Sequence, residues 1–517
     1  MELQQLEFLK HLFHFKRSVY LDHNATTPVS APVRRQMDQT LRQHYGNPSS
    51  FYGLGRKSAA LMEQARQRVA AAIQADPAEI IFTGCATESN NAVLKSVSAH
   101  FFPRKKKIIS TPIEHPSVLS TLAHLETQGV VVEYCPVDRQ GRVRLAELEQ
   151  LLDDETFLVC CLLANNETGV IQDIAAITRS AHQRGALVLT DCVQALGKIP
   201  VQVHQWGVDY ASFSAHKLYG PKGVGALYVR QGRPFAPLLH GGHQESGLRA
   251  GTESLHNLVG FGAACQDVER LLTHARPTQA LKQLLIERLR ALKPDCVINS
   301  AEAECLPNTL SVTFPGVENA GLMAVLDYRG VAVSAGSACS TGEDKPSHVL
   351  KALGLSDQAA RETIRLSLGW DTTAGDIHYA ADVIGEHLAG RTPLVDMLAP
   401  AQLNETILFS EDTFVLDVRP PDDRRRQKGL PNAHEVSPLA VEKYLRQLPR
   451  DKRLLVYCPG GGLSFMVSYY LKAKGFKRVT NLRGGLDAWR KRRGDLYEKY
   501  AGQNVTVLQP DPTDGAA

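Results

Sequence analysis

The apolar positions of the first 390 residues fall into short runs that helix-length segments separate. The runs that we predict to be strands are residues 80–82, 107–110, 130–134, 157–163, 186–190, 210–213 and 226–229. Residues 56–75 predict a helix, because apolar side chains recur every four residues along one stripe. This alternation favours an α/β fold with a mainly parallel sheet and helices on both of its faces.

A second, smaller α/β pattern follows towards the C-terminus. Residues 414–418, 453–457 and 479–481 predict strands, and residues 439–448, 464–475 and 486–490 predict helices. The stretch LAGRTPLVDMLAPAQLN between the two patterns has two prolines and few strong signals, which indicates a linker. We therefore divide the chain into an N-terminal extension with a short amphipathic helix (1–17), a first domain (18–390), a linker (391–404), a second domain (405–495) and a tail (496–517) that ends in disorder.

The composition excludes several classes of protein but does not by itself indicate a function. The 517 residues amount to about three domains at roughly 100–200 residues each. A formal charge of +4 (58 − 54) is too weak to favour nucleic acid or an anionic membrane as the main partner. No apolar stretch is long enough to span a bilayer, and the first residues lack the pattern of a signal peptide. We expect a cytoplasmic protein whose ten cysteines are free thiols, and no metal site, because no Cys-x-x-Cys pair occurs.

Polar clusters follow five of the predicted strands directly. They read TGCATESNN from residue 83, TPIEHPSV from 111, ANNETGV from 164, DCVQALGK from 191 and SAHKLYGPKG from 214. Ligands of open α/β sheets bind beyond the carboxyl ends of the strands. We therefore expect the five clusters to meet in one crevice.

Three features of that crevice predict pyridoxal phosphate. Residues 84–87 open a helix, and the free amides of a helix N-terminus suit a phosphate. Asp191 ends a strand, where it could pair with a buried cation, and Lys217 stands before a Gly/Pro-rich turn, where it could be desolvated like a Schiff-base lysine. Each feature has an ordinary alternative: a helix cap, a turn residue and a solvated lysine. The set as a whole favours the cofactor.

Eight motifs in order carry a resemblance to a known family. They are YLDHNATTP, GNPSS, ATESNN, EHPSV, NNETGV, SAHKLYGPKG, GLRAGTES and SAGSACSTG. With them the chain resembles the cysteine desulfurases, a branch of the class-V aminotransferase family. The resemblance implies an aminotransferase-type fold with a large and a small α/β domain, pyridoxal phosphate as the cofactor, L-cysteine as the substrate and a homodimer.

The resemblance also implies roles for single residues. Lys217 would form the Schiff base, His115 would stack on the cofactor ring and assist proton transfer, and Asp191 would pair with the ring nitrogen. The further cofactor contacts would be Ala86, Thr87, Asn166, Gln194, Ser214 and His216, with Thr252 reaching the phosphate of the partner subunit. Arg365 and Asn166 would bind the substrate carboxylate.

Cys339 would be the residue that captures sulfur. It lies in SAGSACSTG, and a long loop of this kind resembles that of the desulfurases that supply several acceptors; an incidental surface thiol is the alternative. Two departures from the family pattern are Cys85 before ATES and Ser246 where an arginine is common. Neither departure replaces the lysine, the aspartate or the sulfur-capturing cysteine.

The second domain carries its own resemblance. FVLDVRPPDD, GLPNAHEVSP, YCPGGGLS and NLRGGLDAW resemble a rhodanese domain, in which a loop and a helix N-terminus surround a sulfur-carrying cysteine. Cys458 occupies that position, and Asp417 and Arg419 resemble a structural strand end. Leu463 stands where active rhodaneses usually carry an arginine, which predicts poor use of thiosulfate.

These features predict a cysteine desulfurase that converts L-cysteine to L-alanine and holds the sulfur as a persulfide on Cys339. The sulfur would pass, in one version through Cys458, to an acceptor such as an iron–sulfur scaffold or a sulfur-relay protein for tRNA thiolation. Two alternatives stay open: the same enzyme with a non-catalytic C-terminal docking module, and an enzyme similar to selenocysteine lyases.

Overall fold

The computed structural model describes residues 18–336, 346–392 and 395–509. The predicted N-terminal helix, the segment that holds Cys339 and residues 510–517 of the predicted tail lie outside these residues. The first part of the chain contains β1 (Val19–Tyr20), α1 (Ala31–Gln43), α2 (Gly53–Ile73), β2 (Ile80–Thr83), α3 (Ala86–Phe101), β3 (Lys107–Ser110), α4 (Pro116–Glu126), β4 (Val131–Tyr134), α5 (Leu145–Leu151), β5 (Thr156–Cys160), α6 (Ile174–Gln183), β6 (Leu187–Asp191), α7 (Val203–Trp206), β7 (Tyr210–Ser214) and β8 (Gly225–Val229).

Seven of these strands form one sheet in the order β2-β8-β7-β6-β5-β3-β4. All neighbours run parallel except β8, which is antiparallel to both β2 and β7. Every predicted strand of the first 230 residues belongs to this sheet, so the mainly parallel α/β architecture is confirmed. The side chains of β2, β3, β5, β6 and β7 are buried throughout, as expected for strands that helices cover on both faces.

A smaller α/β unit follows. Its elements are α8 (Leu255–Gln266), α9 (Val268–Thr273), α10 (Ala275–Leu292), β9 (Val297–Ile298), β10 (Thr309–Thr313), α11 (Asn319–Tyr328), β11 (Val331–Ala332), α12 (His348–Ala352), α13 (Asp357–Arg361), β12 (Thr363–Ser367) and α14 (Ala374–Leu388). The strands β12, β10 and β9 form an antiparallel sheet, and β11 pairs with β1 at the start of the chain. The N-terminal strand thereby ties the small unit to the large one.

The C-terminal unit is a six-stranded parallel sheet in the order β13-β17-β16-β14-β15-β18. Its elements are β13 (Asp396–Leu398), α15 (Glu405–Leu408), β14 (Thr413–Asp417), α16 (Pro421–Arg426), β15 (Ala433–Glu435), β16 (Arg453–Tyr457), α17 (Gly462–Ala473), β17 (Val479–Leu482), α18 (Gly485–Arg492), α19 (Gly494–Tyr500) and β18 (Thr506–Val507).

The boundaries of this unit differ from the predicted ones. The predicted linker contains β13, which pairs with β17, and the predicted tail contains α19 and β18, which pairs with β15. The predicted helix over 439–448 is a 3-10 helix, Pro438–Tyr444. Strands of two or three residues carry too few side chains to show an alternation, so only pairing in the folded sheet reveals them.

The C-terminal unit is docked on the small unit. Phe465 and Tyr469 of α17 belong to the apolar core that Leu322 and Val325 of α11 also enter. The rings of Tyr328 and Tyr469 lie 4.3 Å apart between their centroids. Burial of aromatic side chains on both sides of the contact stabilises one arrangement of the two units.

Candidate active site and a second sulfur site

Lys217 ends the 3-10 helix Ala215–Lys217 that directly follows β7. Its Nζ donates to the main-chain oxygens of Asn24 and Ala25, at 2.5 and 2.7 Å. The turn is held against the loop after β1, because the amide and hydroxyl of Thr27 both donate to the main-chain oxygen of His216. Two segments that are distant in sequence thus fix the position of the lysine amine.

A cavity of about 240 Å³ opens above Lys217 at the carboxyl ends of the parallel strands. Ten of the residues singled out in the sequence line it: Ala86, Thr87, His115, Asn166, Asp191, Gln194, Ser214, His216, Lys217 and Arg365. The structure therefore brings the polar clusters together in one crevice. Cys85 also lines this cavity, as do Asn24 and Ser117, to which the sequence had assigned no role.

Asp191 is the last residue of β6 and is only 9% exposed. Its Oδ2 accepts from the side-chain amide of Asn90 at 3.0 Å, and its Oδ1 accepts from the amide of Val193 at 3.0 Å. Two neutral donors orient the carboxylate without neutralising it, so it can face a positive ring nitrogen in the cavity.

His115 caps the N-terminus of α4 with its ring. Its Nδ1 accepts from the amide of Ser117 at 3.1 Å, and the Ser117 hydroxyl lies 2.8 Å from the same nitrogen. Burial lowers the pKa of His115; the charge of Asp191 opposes this, and the charge of Lys217 adds to it. The ring is therefore a neutral group at pH 7 that can accept a proton.

The opposite end of the cavity suits a phosphate. The 16-residue helix α3 begins at Ala86, so its first amides have no partner within the helix and carry partial positive charge. A side chain at Gly225 of β8 would lie within 2.8 Å of the backbone of Cys85, so a glycine there lets the start of α3 lie against β8. Ser214 and His216 complete this end, and burial lowers the pKa of His216 to about 4.

Arg365 of β12 is buried in the cavity wall. Its guanidinium pairs with Asp22 at 2.7 Å and donates to the main-chain oxygen of Asn166 at 2.9 Å. Its Nε has no hydrogen-bond partner among the described residues. The arginine is thus held in place by Asp22 and keeps one donor for an oxygen of a ligand.

Two predicted site residues are not in this cavity. Thr252 is exposed and lies outside the cavity of its own chain, so its contact with the phosphate of a partner subunit stays a prediction. Cys339 lies outside the described residues, and its role stays a prediction as well.

This donor set fits pyridoxal phosphate. An amine at Lys217, a carboxylate at Asp191 and a helix N-terminus at Ala86 face one cavity, and they match an aldehyde, a ring nitrogen and a phosphate. The buried Nε of Arg365, which the described residues leave without an acceptor, suits the carboxylate of an amino-acid substrate.

A second site surrounds Cys458, which follows β16 and is 2% exposed. Its Sγ accepts from the amides of Gly461 and Ser464 at 3.1 and 3.3 Å, and from the Ser464 hydroxyl at 3.4 Å. Ser464 belongs to the first turn of α17, whose N-terminus favours negative charge. The loop therefore forms a cradle of donors for a sulfur anion.

The neighbouring helix α18 supports this cradle from behind. The amides of Leu486 and Asp487 donate to the main-chain oxygens of Cys458 and Pro459, at 2.9 and 3.1 Å. Gly485 has a φ of +63°, and a side chain there would lie 2.2 Å from the main-chain oxygen of Cys458. The two glycines of NLRGGLDAW thus allow the close approach that fixes the loop.

Asp417 and Arg419, at the end of β14, form a buried ion pair at 2.6 Å. The hydroxyl of Tyr457 also donates to Asp417. Leu463 is half-buried and packs against the core of the C-terminal unit. Arg419 is paired with Asp417, and Leu463 supplies no charge to the loop around Cys458.

Comparison with known proteins agrees with this geometry. A family model described as aminotransferase class-V matches residues 19–379, and a rhodanese-like domain model matches residues 400–492. The cysteine desulfurase IscS of Dictyoglomus turgidum is 41% identical over 377 residues, which are 71% of this chain and 94% of that protein. A cysteine desulfurase of Homo sapiens is 40% identical over 74% of this chain and 85% of its own length.

Solved structures show the same similarity. A NifS-like protein is 42% identical, with a TM-score of 0.69 over 72% of this chain and all of its own. A structure described as SspA in complex with cysteine is 35% identical, with a TM-score of 0.61 over 68% of this chain and 99% of its own. Among the residues that the structure describes, no helix combines the length and apolar character needed to cross a membrane.

Proposed function

The chain belongs to the class-V aminotransferases and is a pyridoxal-phosphate-dependent cysteine desulfurase with a rhodanese-like domain, and we propose how its residues share the reaction. The phosphate would rest at the start of α3 with Ser214 and His216, and Asp191 would hold the ring nitrogen. Pyridoxal phosphate, when bound, withdraws the electron pair of the substrate Cα–H bond. The proposal rests on the convergence of these groups on one cavity.

The amine of Lys217 and the neutral ring of His115 would move the substrate Cα proton. Both groups line the cavity, and burial lowers the pKa of His115 and so favours the neutral form of its ring. Arg365 and Asn166 would bind the substrate carboxylate, because the Nε of Arg365 is available to it. The position of each group supports a division between proton transfer at Lys217 and substrate orientation at Arg365.

Sulfur capture would fall to Cys339. Its thiolate would attack the sulfur of the bound cysteine, the Cβ–S bond would break, and alanine and a Cys339 persulfide would result. The electrons of the broken bond remain with the carbon that becomes the alanine methyl group. No external oxidant is needed, because the two-electron oxidation of the sulfide-level sulfur is balanced by the reduction of the substrate Cβ, which gains a proton and becomes the alanine methyl group.

Transfer to Cys458 is the further step that we propose. A Cys458 thiolate would take the terminal sulfur of the Cys339 persulfide and release the Cys339 thiolate, so the exchange balances without a redox partner. The observation that supports this step is the cradle of three donors around the Cys458 sulfur. A non-catalytic docking module would have no need of such a cradle.

The enzyme would act as a homodimer in the cytoplasm. Large apolar side chains lie exposed around the start of α2, among them Tyr45, Phe51 and Tyr52, and Phe51 is 93% exposed. A second copy of the chain is the occupant that we propose for this surface, because Thr252 is exposed and would then reach the partner's phosphate. Sedimentation should show a dimer, and Phe51→Glu should weaken it.

The acceptor of the sulfur would be an iron–sulfur scaffold or a sulfur-relay protein. A cytoplasm that keeps thiols reduced suits both such acceptors and the cysteines of this chain, which are free thiols where the structure describes them. Capture of persulfide acceptors from cell extract with the labelled enzyme should separate the two classes.

The test of the relay is to add cysteine without reductant and to locate the extra sulfur by mass spectrometry. Wild type should carry it on the Cys339 and Cys458 peptides, Cys339→Ser on neither, and Cys458→Ser on the Cys339 peptide alone. A Cys458 peptide that stays unlabelled beside a fully labelled Cys339 peptide would show that the relay is wrong.

The same variants distinguish the desulfurase from a selenocysteine lyase-like enzyme. Cys339→Ser should bind cysteine yet make no alanine from it, even with reductant present. Normal alanine formation by this variant would refute sulfur capture by Cys339. If the Cys339→Ser variant still turns over selenocysteine but no longer turns over cysteine, the lyase-like alternative is favoured.

A further inference from the structure

Lys198 is a partly buried lysine in the turn that follows Asp191. Its Nζ donates to the Oε1 of Gln194 at 2.8 Å and to the Oδ1 of Asn24 at 3.2 Å. Within the described residues no carboxylate lies within ion-pairing distance of it, although burial and the charges of Lys217 and Arg365 depress its pKa far below that of an ordinary lysine. An amine that is partly withdrawn from solvent and has no carboxylate partner costs stability, so its place here calls for a reason.

The two residues that accept from Lys198 are both connected to the amine of Lys217 through the main-chain oxygen of Asn24. The main-chain oxygen of Asn24 accepts from Lys217 Nζ and, at 2.9 Å, from the Nε2 of Gln194. The donor of the Gln194 amide thus faces Asn24, and its oxygen faces Lys198. Lys198 favours this orientation of the amide, because its protonated amine can donate to the amide oxygen but cannot accept from the amide nitrogen.

Asn24 is held by further hydrogen bonds. Its side-chain amide donates to the hydroxyl of Thr309 at 2.8 Å, and its Oδ1 also accepts from Asn308 at 3.0 Å. Its main-chain amide donates to the Ser367 hydroxyl at 2.9 Å. The residue is 1% exposed. A change at Lys198 would therefore be transmitted to Lys217 through a rigid residue rather than dissipated.

Lys198 does not line the main cavity. It lines a separate cavity of about 40 Å³ that shares Lys217 with the main one and that His23, His274 and Trp370 also line. Gln194 lines the main cavity instead. Lys198 therefore cannot touch a substrate there, and any effect on the reaction has to pass through Gln194, Asn24 or Lys217.

We propose that Lys198 is a positioning residue that orients the Gln194 amide and the Asn24 main chain, and thereby places the Lys217 amine for its work on cofactor and substrate. The inference rests on the proposed roles of Lys217 and Gln194. It adds a residue to which the sequence had assigned no role and which does not line the main cavity.

The test compares Lys198→Met, Gln194→Ala and the double variant, each loaded with pyridoxal phosphate. Lys198→Met should change the visible circular dichroism of the bound cofactor and lower kcat roughly ten- to hundredfold, as a misplaced reactive group does, with KM for cysteine little changed. Because Lys198 acts in part through the Gln194 amide, the losses of the two single variants should not multiply in the double variant.

Thermal unfolding of each variant without cofactor controls for a merely structural effect. A wild-type spectrum and kcat in Lys198→Met, or losses that multiply in the double variant, would overturn the proposal. If the Lys198→Met variant does not fold, Lys198→Gln replaces it, because glutamine keeps a shorter hydrogen-bond donor. Its cofactor spectrum and kcat should lie between those of wild type and those expected for Lys198→Met. Wild-type values in Lys198→Gln would count equally against the proposal. A Lys217→Ala enzyme that stays active would instead overturn the assigned role of Lys217.

Discussion

The side-chain amide of Asn90 donates to the Asp191 carboxylate across 3.0 Å, and to the Ser117 hydroxyl across another 3.0 Å. Ser117 in turn contacts the ring of His115. Asn90 is fully buried, so this amide connects the Asp191 carboxylate with the residue that contacts the His115 ring. One residue from the second turn of α3 therefore orients two of the groups to which we assign a role in the reaction.

Asn90→Ala should weaken the binding of pyridoxal phosphate about tenfold, because a buried carboxylate loses one of its two donors. Asn90→Asp should be worse, since it places a second negative charge beside Asp191. Fluorescence titration of the apoenzyme with the cofactor measures both affinities. An affinity for Asn90→Asp equal to that of wild type would contradict the role assigned to this contact.

Lys217→Ala should abolish the conversion of cysteine to alanine and should lose the yellow absorption band of the lysine-bound cofactor. The reason is that the amine of Lys217 is the group that the turn after β7 presents to the cavity. Lys222→Ala, an exposed lysine in the same turn, is the matched control and should keep both properties. A visible spectrum unchanged in Lys217→Ala would exclude the assignment.

Leu463→Arg should raise thiosulfate:cyanide sulfurtransferase activity, because it would add a cation at the start of α17 near the sulfur cradle for a small anionic donor. Wild type should be poor in the same assay, since the described residues of this loop place no cation at Cys458. The gain has to vanish in the Leu463→Arg, Cys458→Ser double variant. If it persists there, the activity does not come from this site.

The ion pair between Glu318 of the small unit and Arg483 beside the Cys458 loop lies at the contact of the two units. Glu318→Arg should slow the labelling of Cys458 several-fold and leave the Cys339 persulfide unaffected, because like charges would then oppose docking. The exchanged pair Glu318→Arg, Arg483→Glu should recover part of the loss. Arg478→Glu, which breaks an exposed ion pair with Asp412, is the control. If Cys458 is labelled at the same rate in wild type and in all of these variants, docking of the two units does not contribute to the sulfur transfer.

Glu114 provides a prediction on pH. Full burial raises its pKa from 4.5 to about 8, while hydrogen bonds from Leu162 and Thr111 oppose the shift and Asp191 adds to it. The folded protein then holds a proton that the unfolded chain has lost, so this group lowers the free energy of unfolding as the pH rises from about 4.5 to 8, by up to about 1.4 kcal/mol per unit.

Glu114→Gln should remove that dependence, because an amide keeps the oxygen that accepts from Leu162 and Thr111 and does not ionise. Its advantage over wild type in urea denaturation should grow between pH 5 and 8. A parallel loss of stability in both proteins over this range would mean that Glu114 does not titrate there.

Local patterns in the sequence were enough for the large sheet. Each of its strands is a short apolar run, and the polar cluster after each run marks where the strand ends. The parallel arrangement then sends these ends to one edge, so Asp191, His115 and Lys217 could be placed in one crevice without coordinates. The rhodanese-like unit was equally visible around Cys458, because its glycines lie at fixed distances from the cysteine.

Contacts between distant segments were not accessible in this way. Asn90 and Lys198 belong to polar clusters that the sequence marks, but their individual roles depend on which side chains fold against them. The edge strands β13 and β18 are too short to show a pattern. The docking of α17 on α11 joins two apolar helix faces. Helical periodicity predicts that each face is buried, but it does not predict which element covers it.

The sequence by itself thus determined the fold class and most residues of the cavity, because those depend on local periodicity and on motifs of fixed spacing. Only the tertiary structure decided how Asn24 holds Lys217, how Asp22 holds Arg365 and where the Cys458 loop lies relative to the small unit. Such relationships join residues up to several hundred positions apart, and packing selects them through the combined free energy of many contacts that no single segment contains.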